Sequence, residues 1–412
     1  MYSALNFRTL RRRMASREIL KVMESDSETI LAKLISFDTT SRLSNLELIH
    51  FIQNYLTKHR VNSSLVKDRS GRKATLFASI GPAGRPGFLL SGHTDVVPVD
   101  GQDWTSDPFR LDHRDGRLYG RGSADMKGFI ACVLAAVPGF LRRPLCTPIH
   151  LAFTCDEELG CVGLRDLLED SGNLPVTAAM GIVGEPTCMR LVGEHKGKLA
   201  MRVEVRGQAG HSSNPALGVN AVECAAELIG FIRRFNEEKR RAGPFDPRYE
   251  VPHTTLHVGW VHGGTILNII PEECVFEFEI RYLPEDPAQV ILDRIRRFTA
   301  DELDPAMKRV NPSCGIFFHE KFAYPGLSIL PDAEVVTFVN SLLDSHTPPG
   351  KTAFGTEAGL YQQRCAIPMV VCGPGDIATA HQAEEYVETS QLAACDLFLD
   401  RLAEALSRPL EP

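Results

Sequence analysis

The sequence predicts an α/β protein: a mixed, mostly parallel sheet flanked by helices, interrupted by an inserted, smaller α+β domain of ferredoxin-like type. Three observations predict it. Short apolar runs alternate with amphipathic helical segments, and each run ends in a cluster of polar residues. Between about residues 195 and 310 this gives way to strands that alternate apolar and polar residues, the pattern of a sheet with one wet face. The third observation is bulk. A chain of 412 residues suffices for two or three domains at roughly 150 residues each. Its 43% hydrophobic and 24% charged content excludes disordered and fibrous classes.

Ser27–Ser36 and Leu46–Thr57 carry apolar residues at i, i+3 and i+4 and read as helices. The first buried strand, Gly87–Leu90, leads into Ser91-Gly92-His93-Thr94-Asp95, and a helix over Met126–Val137 follows. Ile149–Phe153 leads into Thr154-Cys155-Asp156-Glu157-Glu158, and Ala179–Val183 into Gly184-Glu185-Pro186. In the middle, Leu199–Val205, Thr254–Val261 and Cys274–Arg281 alternate, while Asn220–Phe235 and the segment from Pro287 to about Leu303 are helical. Pro368–Val371 resumes the buried pattern and leads into Cys372-Gly373-Pro374-Gly375-Asp376, with His381 beyond. The expected organisation is a disordered extension at 1–20, a first domain at 21–194 and 311–412, and the insertion at 195–310.

Charge and cysteine usage narrow the partners. With 45 basic and 52 acidic residues the net charge is −7 and there is no basic stripe, so neither nucleic acid nor a membrane surface is expected as a partner. The longest apolar run, Phe129–Leu141, is too short to cross a bilayer and contains Pro138. Eleven cysteines lie scattered from Cys132 to Cys395 with no C-x-x-C pair, which reads as reduced thiols in the cytoplasm. Arg8, Arg11, Arg12, Arg13 and Arg17 make the start Arg-rich, which reads either as an organelle-targeting segment or as an extension ahead of an equivalent start at Met14.

The candidate chemistry lies in the polar residues after the strands: His93, Asp125, Glu158, Glu185 and His381, with Asp95 and Glu157 beside them. Open α/β sheets place their sites past the carboxyl ends of parallel strands. Imidazole and carboxylate donors suit Zn, Mn or Co and not a thiolate site, and a two-metal site shares one bridging carboxylate. Taken singly, each has an ordinary reading: Asp125 as a helix cap, Glu157-Glu158 as a solvated turn. Their joint placement at strand ends is what points to a site. His50, His59, His113, His150 and His346 have no such context.

Four segments carry a resemblance: Gly92-His93-Thr94-Asp95, Tyr119-Gly120-Arg121-Gly122-Ser123-Ala124-Asp125-Met126-Lys127-Gly128, Asp156-Glu157-Glu158 and Gly184-Glu185-Pro186-Thr187. Together they resemble the co-catalytic zinc aminoacylase and carboxypeptidase family, from about residue 27 to the end. Gly355-Thr356-Glu357-Ala358-Gly359-Leu360 and the stretch from Cys372 to Gln382 are similar to its acetylornithine deacetylase branch.

The resemblance implies two divalent metal ions, Zn2+ first and Co2+ as the alternative, with His93 and Glu185 on one, His381 and Glu158 on the other, and Asp125 bridging. Asp95, two residues beyond His93, is expected to accept that imidazole's other N–H. Glu157 is expected to point away from the ions and act as general base, and the Asp125–Met126 peptide bond to be cis. The insertion is implied to be a lid and dimerisation domain. In the segment Gln208–Ser213, His211 would stabilise the oxyanion in the neighbouring subunit of a homodimer. Substrate contacts are expected from Asn268, Arg281, Gly355, Thr356 and Glu357, with Arg281 reading equally as a strand-end surface residue. The implied activity is hydrolysis of N-acetyl-L-ornithine to L-ornithine and acetate, in arginine biosynthesis. The residues leave open another N-acyl amino acid (succinyl or formyl), and a non-catalytic binding protein on the same fold. A two-metal phosphoryl-transfer enzyme lacks its glycine loop here.

Overall fold

The computed structural model describes residues 27–343 and 347–408. The expected extension at 1–20, with its targeting and start-site alternatives, lies outside the described residues. The described residues divide into two compact units, the first reaching to Gly193 and resuming over Ile329–Gly350 and from Thr356 on, the second of Glu194–Ser328 with Lys351–Gly355.

In chain order the strands are β1 (Ser63–Lys67), β2 (Ala74–Ile80), β3 (Gly87–His93), β4 (Asp112–Arg114), β5 (Arg117–Tyr119), β6 (Ile149–Thr154), β7 (Ala178–Val183) and β8 (Val192–His195). They continue as β9 (Gly197–Arg206), β10 (Thr255–Gly263), β11 (Glu273–Tyr282), β12 (Gly315–Tyr324), β13 (Leu327–Ser328), β14 (Gly350–Thr352), β15 (Met369–Val371) and β16 (Tyr386–Glu388).

The main sheet of the first unit runs β1-β2-β6-β3-β7-β15-β8. Its four central strands, β6, β3, β7 and β15, are parallel neighbours, and antiparallel strands flank them. Every residue of β3 and of β6 is buried, as expected of central strands covered on both faces. Because these strands are parallel, His93 at the end of β3, the residues after Thr154 of β6 and those after Val183 of β7 emerge at one edge of the sheet. The helix expected to stop at Val137 runs over Lys127–Arg142 with Pro138 inside it. Pro138 removes one backbone donor, but Val137 and Phe140 on either side are buried, and the apolar face carries the helix on. It packs against the C-terminal helix Thr389–Ala405.

The second unit is an antiparallel sheet in the order β10-β11-β9-β12, with the helices Ala221–Ala242 and Ala288–Phe298 in its chain. Its core is Val203 and Val205 of β9, Phe276 and Ile280 of β11, and Leu228, Ile232 and Ile295 of the helices. The element order β-α-β-β-α-β is that of a ferredoxin-like fold. Asn220 caps the first helix by accepting the N–H groups of Val222 and Glu223, and Gly243 ends it at φ 74°. The insertion extends past the expected border at 310. Residues Gly315–Tyr324 form a fourth strand along the whole of β9, from Gly315 opposite Arg206 to Tyr324 opposite Lys198.

Candidate metal centre

His93 closes β3 and is 1% exposed; Asp125 and Glu185 are 6% and 3% exposed. Asp125 sits between the two imidazoles: His93 Nε2 lies 2.9 Å from its Oδ1, and His381 Nε2 lies 3.3 Å from its Oδ2. Glu185 Oε1 is 3.6 Å from His93 Nε2, and Glu158 Oε1 is 3.1 Å from His381 Nε2. One oxygen of Asp125 therefore faces each half of the cluster. The Asp125–Met126 peptide bond is cis.

Local geometry fits this convergence. Gly184 precedes Glu185 where a Cβ would lie 2.1 Å from the Phe129 ring, and at Gly373 a Cβ would lie 2.0 Å from the Gly184 carbonyl oxygen. Only glycine lets the ends of β7 and β15 approach this closely. Asp156 and His381 hold left-handed backbone at φ 56° and 62°, a conformation that costs a non-glycine residue of order 1–3 kcal/mol and gathers at functional sites.

Two expectations need correction. The Asp95 carboxylate does not take up the His93 N–H. His93 Nδ1 donates to the Asp95 main-chain oxygen at 2.9 Å, while the carboxylate stands 3.7 Å away. The carboxylate instead accepts the main-chain N–H groups of Glu157 (3.1 Å) and Glu158 (3.3 Å) and the Ser41 hydroxyl (2.8 Å). Asp95 thus fixes the Glu157-Glu158 turn, a role that its short reach and the left-handed Asp156 make geometrically available. Glu157 does not point away. It forms a group with His93 and Glu185 whose donor atoms lie within 4.8 Å of one another, just as His93, Asp125 and Glu158 do.

The electrostatics are those of carboxylates short of positive charge. Burial raises Glu157 well above the usual carboxylate range; His93 opposes this, and Glu158, Glu357 and Asp125 add to it. Burial and then Asp125 raise Glu185 and Glu158 in the same way. The two imidazoles respond in the opposite sense. Hydrogen bonds to Asp125 and Glu158 lift His381 to about 10. Burial works against charge on His93, but Glu185 and Asp125 outweigh it and raise its pKa well above the ordinary value. Divalent cations would supply the missing charge, and the two-imidazole, carboxylate-rich donor set fits hard or borderline cations.

The remaining candidates are placed as follows. Thr356 is 0% exposed and its Oγ1 accepts the Ala358 N–H; Glu357 is 1% exposed and accepts from Thr154 Oγ1 at 3.0 Å. Burial raises Glu357 to about 8. Within the second unit, His211 is bridged to Ile269, and the Ser212 N–H donates to the Asn268 carbonyl at 3.2 Å, so His211 and Asn268 share one exposed loop pair. Arg281 Nε donates to Glu279 at 2.8 Å, and Gly355 packs where a Cβ would lie 2.1 Å from the Tyr324 ring. Sequence reasoning missed Ser41, which donates to the Asp95 carboxylate, and Glu385, which accepts the main-chain N–H of Asp125. A lone Ser after a helix, or a Glu four residues past His381, carries no signal of its own.

Among solved structures, the human carnosine dipeptidase 1 superposes with a TM-score of 0.71 at 16% identity, covering 95% of this chain and 98% of that one. The di-peptidase Dug1p of Saccharomyces cerevisiae gives 0.72 at 15% identity over 95% and 98%. The Bacillus subtilis YXEP protein, a dinuclear metal binding peptidase of the M20 family, gives 0.62 at 16% over 93% and 98%. At such identities these likenesses speak for the fold. The sequence itself matches the model of peptidase family M20/M25/M40 over residues 89–405, well beyond half of its length. The chain belongs to that family and is a hydrolase of the metallopeptidase type.

Proposed function

We propose that the chain hydrolyses the amide bond of an N-acyl amino acid, with N-acetyl-L-ornithine as first substrate, and that it uses two divalent cations, Zn2+ or Co2+. The observation that carries the chemistry is Asp125 standing between His93 and His381 with one oxygen toward each. His93 and Glu185 would hold one cation and His381 and Glu158 the other, with Asp125 shared. When bound, such ions polarise the scissile carbonyl and acidify water. Glu157 is the general base: it takes a proton from the attacking water and delivers it to the leaving amine, so that the C–N bond breaks to give acetate and the free amino group. Its carboxylate lies within 4.8 Å of the donor atoms of His93 and Glu185, beside the place where such a water would stand.

His211 would stabilise the oxyanion. The Ser213 N–H donates to His211 Nδ1 at 3.1 Å, so in the neutral ring the proton sits on Nε2, the form able to donate to an oxyanion. We place this His at the substrate of a second copy, in a homodimer formed through the second unit; Asn268 and Arg281 would bind the substrate's polar groups. A second reading, a dipeptide substrate, draws on the fold shared with carnosine dipeptidase 1 and the yeast di-peptidase.

A steady-state screen decides between them. N-acetyl-, N-succinyl- and N-formyl-amino acids and a set of dipeptides are compared with added Zn2+ or Co2+. The proposal expects N-acetylornithine to lead in kcat/KM. A ranking led by dipeptides or by another acyl group replaces it.

A further inference from the structure

Four residues beyond His381, Glu385 is 1% exposed, and so is Arg121, to which it pairs at 2.6 Å. The Glu385 carboxylate is spread along the loop that carries Asp125. Its Oε2 accepts the Gly122 N–H at 3.1 Å, and its Oε1 accepts those of Ala124 and Asp125, both at 3.0 Å. Arg121 continues the link toward the other loop. Its Nη1 also donates to the Gln382 carbonyl at 3.2 Å, its Nη2 donates to Gln102 Oε1, and Gln102 Nε2 donates to the His381 carbonyl at 2.9 Å. One buried ion pair therefore holds the main chain on both sides of the cluster, at Asp125 and at His381.

A buried pair of this kind is weak evidence for stability, because desolvation offsets the attraction. What it fixes is geometry. Three N–H donors from one short loop converge on a single carboxylate, and a neutral amide, with one oxygen and an NH2, cannot accept all of them. We infer that Glu385, with Arg121 and Gln102, is a positioning residue that sets Asp125 and His381 in the arrangement that binds cations. The inference rests on the reading of those two residues as ligands. Partners of this sort, one layer out from the metal, typically change affinity by about 10–100-fold when removed.

The test is Zn2+ binding to the metal-free full chain, by competition with a chromogenic chelator, well below the melting temperature of each variant so that unfolding is not read as lost affinity. The wild type is expected to take up two Zn2+. Glu385→Gln is expected to bind about 10–100-fold more weakly, Glu385→Asp, which keeps the charge, to recover part of the loss, and Glu384→Gln, on the neighbouring half-exposed residue, to bind as the wild type does. Wild-type affinity and stoichiometry in Glu385→Gln overturns the inference and leaves the ligand reading standing. A wild type that binds no Zn2+ overturns both. If Glu385→Gln does not fold, Gln102→Leu decides on the same readout: weakened binding supports the inference, and unchanged binding overturns it.

Discussion

The two units carry their candidate chemistry in opposite ways. In the first, His93, Asp125 and Glu185 are nearly inaccessible, at 1%, 6% and 3% exposed, and their polar atoms face one another. In the second, His211 and Asn268 lie on exposed loops beside Ile266 and Leu267, which are 60% and 97% exposed. A buried cluster of carboxylates and imidazoles explains itself locally: its shifted pKa values are a demand for cations, which a strand-end cradle can hold. An exposed apolar loop around a single His has no such local reason, since burying Leu267 would stabilise its own unit by roughly 2 kcal/mol and the fold forgoes it. The first arrangement we read as able to hold cations by itself, and the second as completed by substrate and a second copy.

The sharpest break of this comparison lies inside the first unit. Glu157 stands as close to His93 and Glu185 as a ligand would. Glu157→Gln preserves size and removes the base, so kcat should fall by roughly 10²–10⁴-fold with metal content, measured by mass spectrometry, unchanged. Loss of one metal equivalent instead would make Glu157 a ligand and erase the division of labour between it and Glu158.

A somewhat smaller effect, about 10²–10³-fold in kcat, is expected for His211→Ala, as for removal of one oxyanion donor. Here the comparison itself is tested. Metal content should stay at the wild-type level, because nothing exposed in the second unit is needed to hold cations. Mixing inactive His211→Ala with inactive Glu157→Gln and letting subunits exchange should restore part of the activity, since one site of each hybrid would then have both residues. Hybrids that form, as seen by differential tagging, and stay inactive would confine His211 to its own chain or to no catalytic role.

What was legible in the sequence follows from the same contrast. The central parallel strands are largely apolar, so the polar residues at and just past the ends of β3, β6 and β7 stand out, and His93, Glu157, Glu158 and Glu185 are among them. The insertion runs past the border expected at 310 because β12 hides its period. His319, Glu320 and Lys321 interrupt the alternation, and the register shifts between Glu320 and Phe322. The true partner of the Asp95 carboxylate was not legible either. The two-residue spacing to His93 suggests an imidazole, but the backbone N–H groups of Glu157 and Glu158, 62 and 63 residues on, take it instead. Tertiary convergence of that kind leaves no trace in local pattern.

The smallest effect expected concerns a second buried imidazole, and it sharpens what makes His93 unusual. His195 is 0% exposed, and its Nδ1 donates to the Lys196 carbonyl at 2.9 Å. Where carboxylates raise His93, burial pulls His195 down to about 4. The unfolded chain protonates this residue near 6.5, the folded chain only near 4. Between those values the unfolded state binds more protons, so lowering the pH through that window favours unfolding; above about 6.5 and below about 4 the group adds no slope. The full effect is on the order of 3 kcal/mol. In chelator, so that bound metal does not intervene, the urea midpoint of the wild type should fall from pH 6.5 to 4 more steeply than that of His195→Gln, whose side chain keeps a donor but does not titrate. Parallel curves would mean that His195 protonates in the folded chain as readily as in the unfolded one. Burial alone would then not separate it from His93, and the raised pKa of the latter could no longer be credited to its carboxylate neighbours by this contrast.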